Sequence, residues 1–195
     1  PLKMPILGAE KQIFSFPELR GTSTFKGLPG LLADVLPDKY GNSLINAWLA
    51  SHGRPTDSMN PVELLCFIGQ RGMGALEFEP MLPKIYNETT KIELKGLIQM
   101  AEEILLGKQN FNTSLSSEEA KVLSDILKIG TSAGGARAKA VIAFNPITNE
   151  IRSGQADAPN GFTQWLIKFD GVTDQQIGTS SGYGRVEMAY YLMAK

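Results

Sequence analysis

The apolar pattern of this chain changes at Gly130, and that change limits the fold more than any other feature. Up to Gly130, apolar residues mostly recur every three to four positions, as they do in amphipathic helices. Beyond it lie two apolar runs of strand length, KAVIAF (139–144) and TQWLIKF (163–169), joined by a connection rich in Asn, Pro and Gly. We therefore predict an α+β chain, with a mostly helical domain at 1–127 and a strand-containing domain at 128–195.

Local signals predict the elements of the first part of the chain. Residues 27–53 are typical of two helical pieces that are broken near Pro37. Asn60 is a good N-cap for a helix that begins at Pro61, and Glu63 can reach back to that cap. Alternating apolar and polar residues predict two short strands, at 11–17 and 74–80.

Two further helices are predicted before the change in pattern. Residues 91–108 carry an apolar stripe at helical spacing, which indicates an amphipathic helix. Ser116 and Glu119 form a capping box that opens a helix over 116–130. Gly130 then suits a left-handed C-cap, since glycine is the common residue at that position.

Composition excludes several classes of protein. Apolar residues make up 43% of the 195 residues, enough for a sizeable core, and the formal net charge of −1 supplies no bulk attraction to nucleic acid or acidic membranes. No stretch reaches the roughly 18 apolar residues of a membrane helix, and no signal-peptide pattern is visible. The single cysteine, Cys66, lies in an apolar segment and is expected in the core. These features favour a cytoplasmic protein that makes no membrane contact.

Small side chains dominate residues 131–138, TSAGGARA. Gly134 and Gly135 would let the backbone approach a ligand closely, and consecutive N–H groups can bind an anion. Arg137 and Lys139 add cations that suit phosphate. The segment matches neither a Walker A loop nor a G-x-G-x-x-G loop, so a flexible turn between helix and strand is the alternative interpretation.

A strand lysine and a helix glutamate follow this loop. Lys168 is the one cation in an apolar run, and Glu187 lies beside the apolar stripe of the last predicted helix (182–195). A glycine-rich loop, a strand lysine and a helix glutamate in this order match the start of a protein-kinase N-lobe, in which the glutamate orients the lysine. The alternatives are an edge-strand lysine that reaches solvent and a glutamate on a solvated helix face.

Five segments together resemble the HipA family, serine/threonine kinase toxins of bacterial toxin–antitoxin modules. They are GLPGLLADVLPDKYG, GQRGMGALEFEP, IGTSAGGARAKAVIAF, WLIKF and GRVEMAYYLMAK. The resemblance implies a helical HipA N-terminal subdomain followed by part of a protein-kinase-like N-lobe, an antiparallel sheet plus a helix. It also implies ATP with Mg²⁺, a HipB-like DNA-binding antitoxin as partner, and a protein substrate, which in some of these kinases is an aminoacyl-tRNA synthetase. Nucleic acid would be contacted only through the antitoxin.

The same resemblance implies the roles of individual residues. Lys168 corresponds to the ATP lysine and Glu187 to its partner. Ser132 stands at the autophosphorylation position. The phosphate loop would comprise Gly134, Gly135, Ala136, Arg137 and Lys139.

The catalytic-loop and metal-binding acids of a kinase have no counterpart in these 195 residues, and His52, the one histidine, cannot replace them. The chain also begins at Pro1 and stops within a helical pattern. We therefore expect a fragment with no catalytic residues and no metal site, inactive alone and weak in nucleotide binding, from a longer protein that phosphorylates a protein. A non-catalytic protein-binding module and another ATP-dependent transferase with a kinase-like lobe are the alternatives.

Overall fold

The computed structural model of the chain describes residues 15–72, 74–82, 91–106, 116–130, 137–154, 158–170, 172–174, 178–179 and 182–195. In chain order its helices and strands are α1 (Gly30–Ala33), α2 (Lys39–Ser51), α3 (Pro61–Ile68), α4 (Leu94–Leu105), α5 (Ser117–Gly130), β1 (Lys139–Asn145), β2 (Glu150–Ser153), β3 (Thr163–Lys168), β4 (Thr173–Asp174), β5 (Gly178–Thr179) and α6 (Tyr183–Met193). The fold is mixed α+β, as predicted. None of the helices in these ranges combines the length and the apolarity needed to span a membrane.

Internal contacts divide the chain into two units. The first comprises Pro1–Leu36 and Met59–Lys84, and the second comprises Pro37–Ser58 and Ile85–Lys195. These units follow spatial clustering, whereas the boundary expected between residues 127 and 128 follows the change in sequence pattern. That boundary stays a prediction.

The first unit contains α1 and α3. The capping box predicted for α3 is confirmed, because Asn60 Oδ1 accepts from the backbone N–H groups of Val62 (2.9 Å) and Glu63 (3.0 Å), and Glu63 Oε2 accepts from Asn60 N–H (2.9 Å). Cys66, expected in the core, is only half-buried. The residues that α3 buries are Leu64, Leu65, Phe67 and Ile68.

The strand predicted at 74–80 does not form, so that prediction is wrong. Leu76 and Phe78 are partly buried and Glu77 is exposed, so the alternation in the sequence is real. A strand also needs a neighbour for its backbone groups. Here one backbone hydrogen bond, from Phe78 N–H to Gly69 O (3.2 Å), joins the segment to the C-cap residue of α3. The strand predicted at 11–17 lies mostly outside the described residues, and a 3-10 helix begins at Pro17.

In the second unit, α5 packs against α2, α4 and β1. The break predicted near Pro37 separates α1 from α2, and the capping box predicted for α5 is confirmed by Ser116 N–H to Glu119 Oε2 (2.9 Å) and Glu119 N–H to Ser116 Oγ (3.2 Å). One member of the apolar stripe of α4, Ile98, is 38% exposed. The buried side chains of the three helices include Leu44, Ile45, Leu49, Leu97, Ala101, Leu123, Ile126, Leu127 and Ile129.

Gly130 ends α5 in a different way from the one predicted. It belongs to the helix itself, and it is absent from the described glycines with positive φ, so the left-handed cap is wrong. Its lack of a side chain serves packing instead, because a Cβ there would lie 2.8 Å from Leu44 Cδ1 and 3.3 Å from Tyr40 Cε1. Glycine therefore lets the end of α5 approach α2 closely.

A three-stranded antiparallel sheet follows α5, in the order β2-β1-β3. The predicted pairing of the two apolar runs is observed, with Lys139 opposite Lys168 and Phe144 opposite Thr163. The connection between them supplies β2, which pairs with the other edge of β1. Ala140 and Ile142 of β1 are buried, whereas β3 is mostly exposed.

The last helix, α6, begins after Gly182, whose φ of 81° requires the left-handed conformation that glycine tolerates. Residues 183–195 are all exposed. The apolar stripe predicted for this helix, which includes Val186 and Tyr190, is therefore not buried by any part of the chain that the structure describes.

The sheet should not tolerate a side chain at Gly154. A Cβ there would lie 2.6 Å from the Ile142 carbonyl carbon, and backbone cannot move aside as a flexible side chain can. We expect Gly154→Ala to lower the free energy of unfolding by roughly 1–3 kcal/mol. Gly96→Ala in α4 is the matched control, since its Cβ would meet Val122 Cγ2 at an ordinary 3.7 Å and alanine favours a helix by up to about 1 kcal/mol. Urea unfolding followed by circular dichroism measures both, and equal effects would contradict the packing argument.

Candidate functional site

Lys168 and Glu187 are in direct contact. Lys168 is the last residue of β3, and its Nζ lies 2.7 Å from Oε1 of Glu187 in α6. The two side chains are 50% and 54% exposed, so solvent screens the pair and it adds at most about 1 kcal/mol to stability. An ammonium group has three donors, and Glu187 holds this one in a fixed direction while leaving it accessible to a ligand. The arrangement suits an anionic ligand better than it suits a stabilising role.

Lys139 lies directly opposite Lys168 in the register of β1 and β3. Residues opposite each other in an antiparallel pair project from the same face of the sheet, so the two amines are neighbours. Lys139 differs from Lys168 in being only 4% exposed. Its Nζ lies 3.4 Å from Oδ2 of Asp38.

Asp38 is also the N-cap residue of α2. Its Oδ1 accepts from Gly41 N–H (2.9 Å), which leaves Oδ2 for Lys139. Burial lowers the pKa of Lys139, the nearby Lys168 charge lowers it further, and the Asp38 carboxylate opposes both effects. The helix cap thus holds a cation in a place that disfavours charge.

Like charges directly opposite each other weaken an antiparallel pair. Here each lysine has a carboxylate of its own, Asp38 from the start of α2 and Glu187 from α6. The buried amine is engaged with a structural helix cap, and the half-exposed amine is the accessible one. The expected role of Lys139 in binding phosphate stays a prediction.

Arg137 makes a contact that the sequence did not indicate. Its guanidinium carbon lies 3.7 Å from the centroid of the Tyr183 ring, at the start of α6. Close by, Gly182 N–H donates to Asp170 Oδ2 (2.9 Å). An arginine can stack on any tyrosine that the fold brings near, so sequence spacing alone could not have selected Tyr183. Asp38 and Asp170 were likewise missed, since no local pattern in the sequence pairs Asp38 with Lys139 or Asp170 with Gly182.

The remaining candidates from the loop, Ser132, Gly134, Gly135 and Ala136, lie outside the described residues. Within the described ranges, no group of three or more His, Cys, Asp and Glu side chains could hold a metal ion. Of the described candidates, Arg137 lies just before β1 and Lys139 at its beginning, Lys168 lies at the end of β3, and Glu187 lies in α6.

A comparison with protein families matches residues 4–79 to the model described as the HipA N-terminal domain. This match supports a HipA-family N-terminal portion at residues 4–79. The matched residues include α2 and its N-cap Asp38, the partner of Lys139. Searches of the curated proteins and of the solved structures found no match.

The buried pair of Asp38 and Lys139 can be tested by a double-mutant cycle. Asp38→Asn retains a side chain that caps α2 and removes the charge facing Lys139, so we expect a loss of roughly 1–3 kcal/mol in the free energy of unfolding. Lys139→Met keeps the apolar stem of the side chain and removes its charge. The double variant should lose less free energy of unfolding than the two single variants lose in sum. Additive losses in urea unfolding would mean that the two groups do not interact.

The ionisation of Lys139 predicts a pH dependence. Its folded pKa is below the ordinary 10.5, so the unfolded chain binds more protons between those two values. Stability contributed by this group must therefore rise as the pH increases through that window. We expect the stability of wild type relative to Lys139→Met to increase as the pH approaches 10.5. The stability of Asp38→Asn should increase more steeply, because this variant lacks the carboxylate that opposes the lowering of the Lys139 pKa. Melting temperatures measured in parallel at several alkaline pH values check this, and parallel curves would contradict it.

Proposed function

We propose that this chain contributes the nucleotide-binding part of a HipA-type serine/threonine protein kinase. The observation that carries the proposal is the 2.7 Å contact between Lys168 at the end of a strand and Glu187 on the following helix. The HipA N-terminal domain at 4–79 supports it, as does the small-residue segment that precedes β1. Each of these features taken alone also fits a protein that binds no nucleotide, and their order along one chain favours the kinase.

The donor set at the site fits a nucleotide. Lys168 offers a half-exposed ammonium to phosphate oxygens, and the Glu187 carboxylate holds that amine in one orientation. When bound with Mg²⁺, ATP supplies the phosphoryl group that is transferred to a protein. The described residues provide no set of metal ligands, so no ligand of the Mg²⁺ ion is assigned. The proposed work of these residues is to bind and orient the phosphates.

The regulation and partners belong to the same proposal. A phosphate on Ser132 would add about −1.5 to −2 charge at pH 7 and compete for the donors that hold ATP. Mass spectrometry of the full-length protein after incubation with Mg-ATP should find that phosphate on Ser132, with Ser132→Ala in parallel. Phosphate elsewhere, with an alanine variant that is inhibited like wild type, would contradict this role. By resemblance to the HipA family, the partner would be a HipB-like DNA-binding antitoxin, and the phosphorylated substrate would be a protein.

An acyl-phosphate derivative of ATP tests the nucleotide site in the full-length protein. An amine close to the bound phosphate attacks the acyl carbonyl carbon, the bond from that carbon to the phosphate oxygen breaks, and an amide forms as ATP leaves. We expect peptide mapping to find Lys168 labelled, and millimolar Mg-ATP to suppress that label. Lys121 is the internal control, since it is exposed on α5, so it should react slowly and without protection. Lys168→Met should abolish the protected label while shifting the melting temperature by no more than about 4 °C. Labelling of Lys168 at the rate of Lys121, with no protection, would refute the assignment.

A further inference from the structure

The contacts that tie α6 to the strands lie at its N-terminal end. Arg137 stacks on Tyr183, Asp170 accepts from Gly182 N–H, and Glu187 pairs with Lys168. The described hydrogen bonds, ion pairs and ring contacts between α6 and the strand region all fall within residues 182–187. Residues 188–195 are exposed. The direction in which Glu187 points therefore depends on how the beginning of α6 is held.

Tyr183 and Glu187 are four residues apart in a helix, so they occupy the same face, one turn from each other. A contact that fixes the Tyr183 ring also fixes the rotation of the helix that carries Glu187. Arg137 provides such a contact from the residues just before β1, with its guanidinium well within the range of a cation–π interaction. The ring is 44% exposed, so this is a surface interaction that shifts an equilibrium about two- to fivefold.

We infer that Arg137 is a positioning residue of the nucleotide site, an inference that rests on the function proposed above. By stacking on Tyr183 it holds α6 in the rotation that keeps Glu187 against Lys168. This role differs from a direct contact with phosphate, the role expected from the sequence. A phosphate ligand needs only the charge of Arg137, whereas a positioning residue also needs the aromatic ring beneath it.

The contact between Lys168 and Glu187 can be measured through the acylation rate of Lys168. An amine whose Nζ donates to a carboxylate at 2.7 Å is less available to an acylating reagent than an amine without that contact, so losing the pair speeds acylation. The 195-residue chain is treated with acetic anhydride without nucleotide, and the rate at Lys168 is compared with the rate at Lys121 by peptide mapping. The Glu187→Gln variant gives the reference value, the acylation rate of Lys168 without a carboxylate partner.

We expect Tyr183→Leu to raise the relative rate at Lys168 about two- to fivefold, without exceeding Glu187→Gln. Arg137→Met should have the same effect, and combining it with Tyr183→Leu should add nothing. Tyr183→Phe keeps the ring and should behave as wild type. Tyr190→Leu is the matched control on the same helix, since Tyr190 is 68% exposed and lies outside residues 182–187, which hold the contacts to the strands. This variant should leave the acylation rate of Lys168 unchanged. Far-UV circular dichroism verifies that each variant is folded.

Two results would overturn the inference. In one, Tyr183→Leu and Tyr183→Phe give the same rate at Lys168; in the other, Arg137→Met leaves that rate unchanged and weakens only the protection by Mg-ATP, as a phosphate ligand would. Because the acylation rates need no nucleotide, they are independent of the proposed function. If Tyr183→Leu accelerates the reaction and Mg-ATP protects nothing, the coupling of Arg137 to the pair stands and the nucleotide assignment fails.

Discussion

Two lysines face each other across adjacent antiparallel strands, and the arrangement around them depends on compensating that repulsion. The register of β1 and β3 puts Lys139 opposite Lys168 on one face of the sheet. Two carboxylates reach this place from outside the sheet, each from a helix. The position of the start of α2 and that of α6 are thus both linked to the charge balance of one strand pair.

The two ion pairs differ in environment and therefore in use. Asp38 and Lys139 are largely shielded from water, so breaking the pair leaves a charge in a place that disfavours it. Lys168 and Glu187 are half-exposed, so their attraction is weak and the amine is accessible. The Asp38–Lys139 pair joins the start of α2 to β1. In the Lys168–Glu187 pair, the carboxylate orients an ammonium group that solvent can reach. Asp38 lies within the residues that match the HipA N-terminal domain, and its partner Lys139 lies on the strand next to the accessible lysine.

Local sequence signals were reliable where the interaction they describe is itself local. The capping boxes at Asn60 and Ser116 form as predicted, because their partners lie two or three residues away. The strand predicted at 74–80 fails because alternation does not supply a neighbouring strand. Gly130 was assigned to a cap, yet it is needed for the approach of α5 to Leu44, a residue far away in the chain.

The sequence by itself determined the capped helix starts, the two apolar strands that pair and the order of loop, strand lysine and helix glutamate. Only the tertiary structure decided which charges meet. Asp38 and Lys139 are 101 residues apart, and nothing near either one identifies the other. The stacking of Arg137 on Tyr183 is equally invisible in the sequence, since arginine and tyrosine have no fixed spacing for this contact. Hydrogen bonds within a turn are set by neighbouring residues, whereas the partners of a charge are set by packing and strand register, which depend on the whole fold.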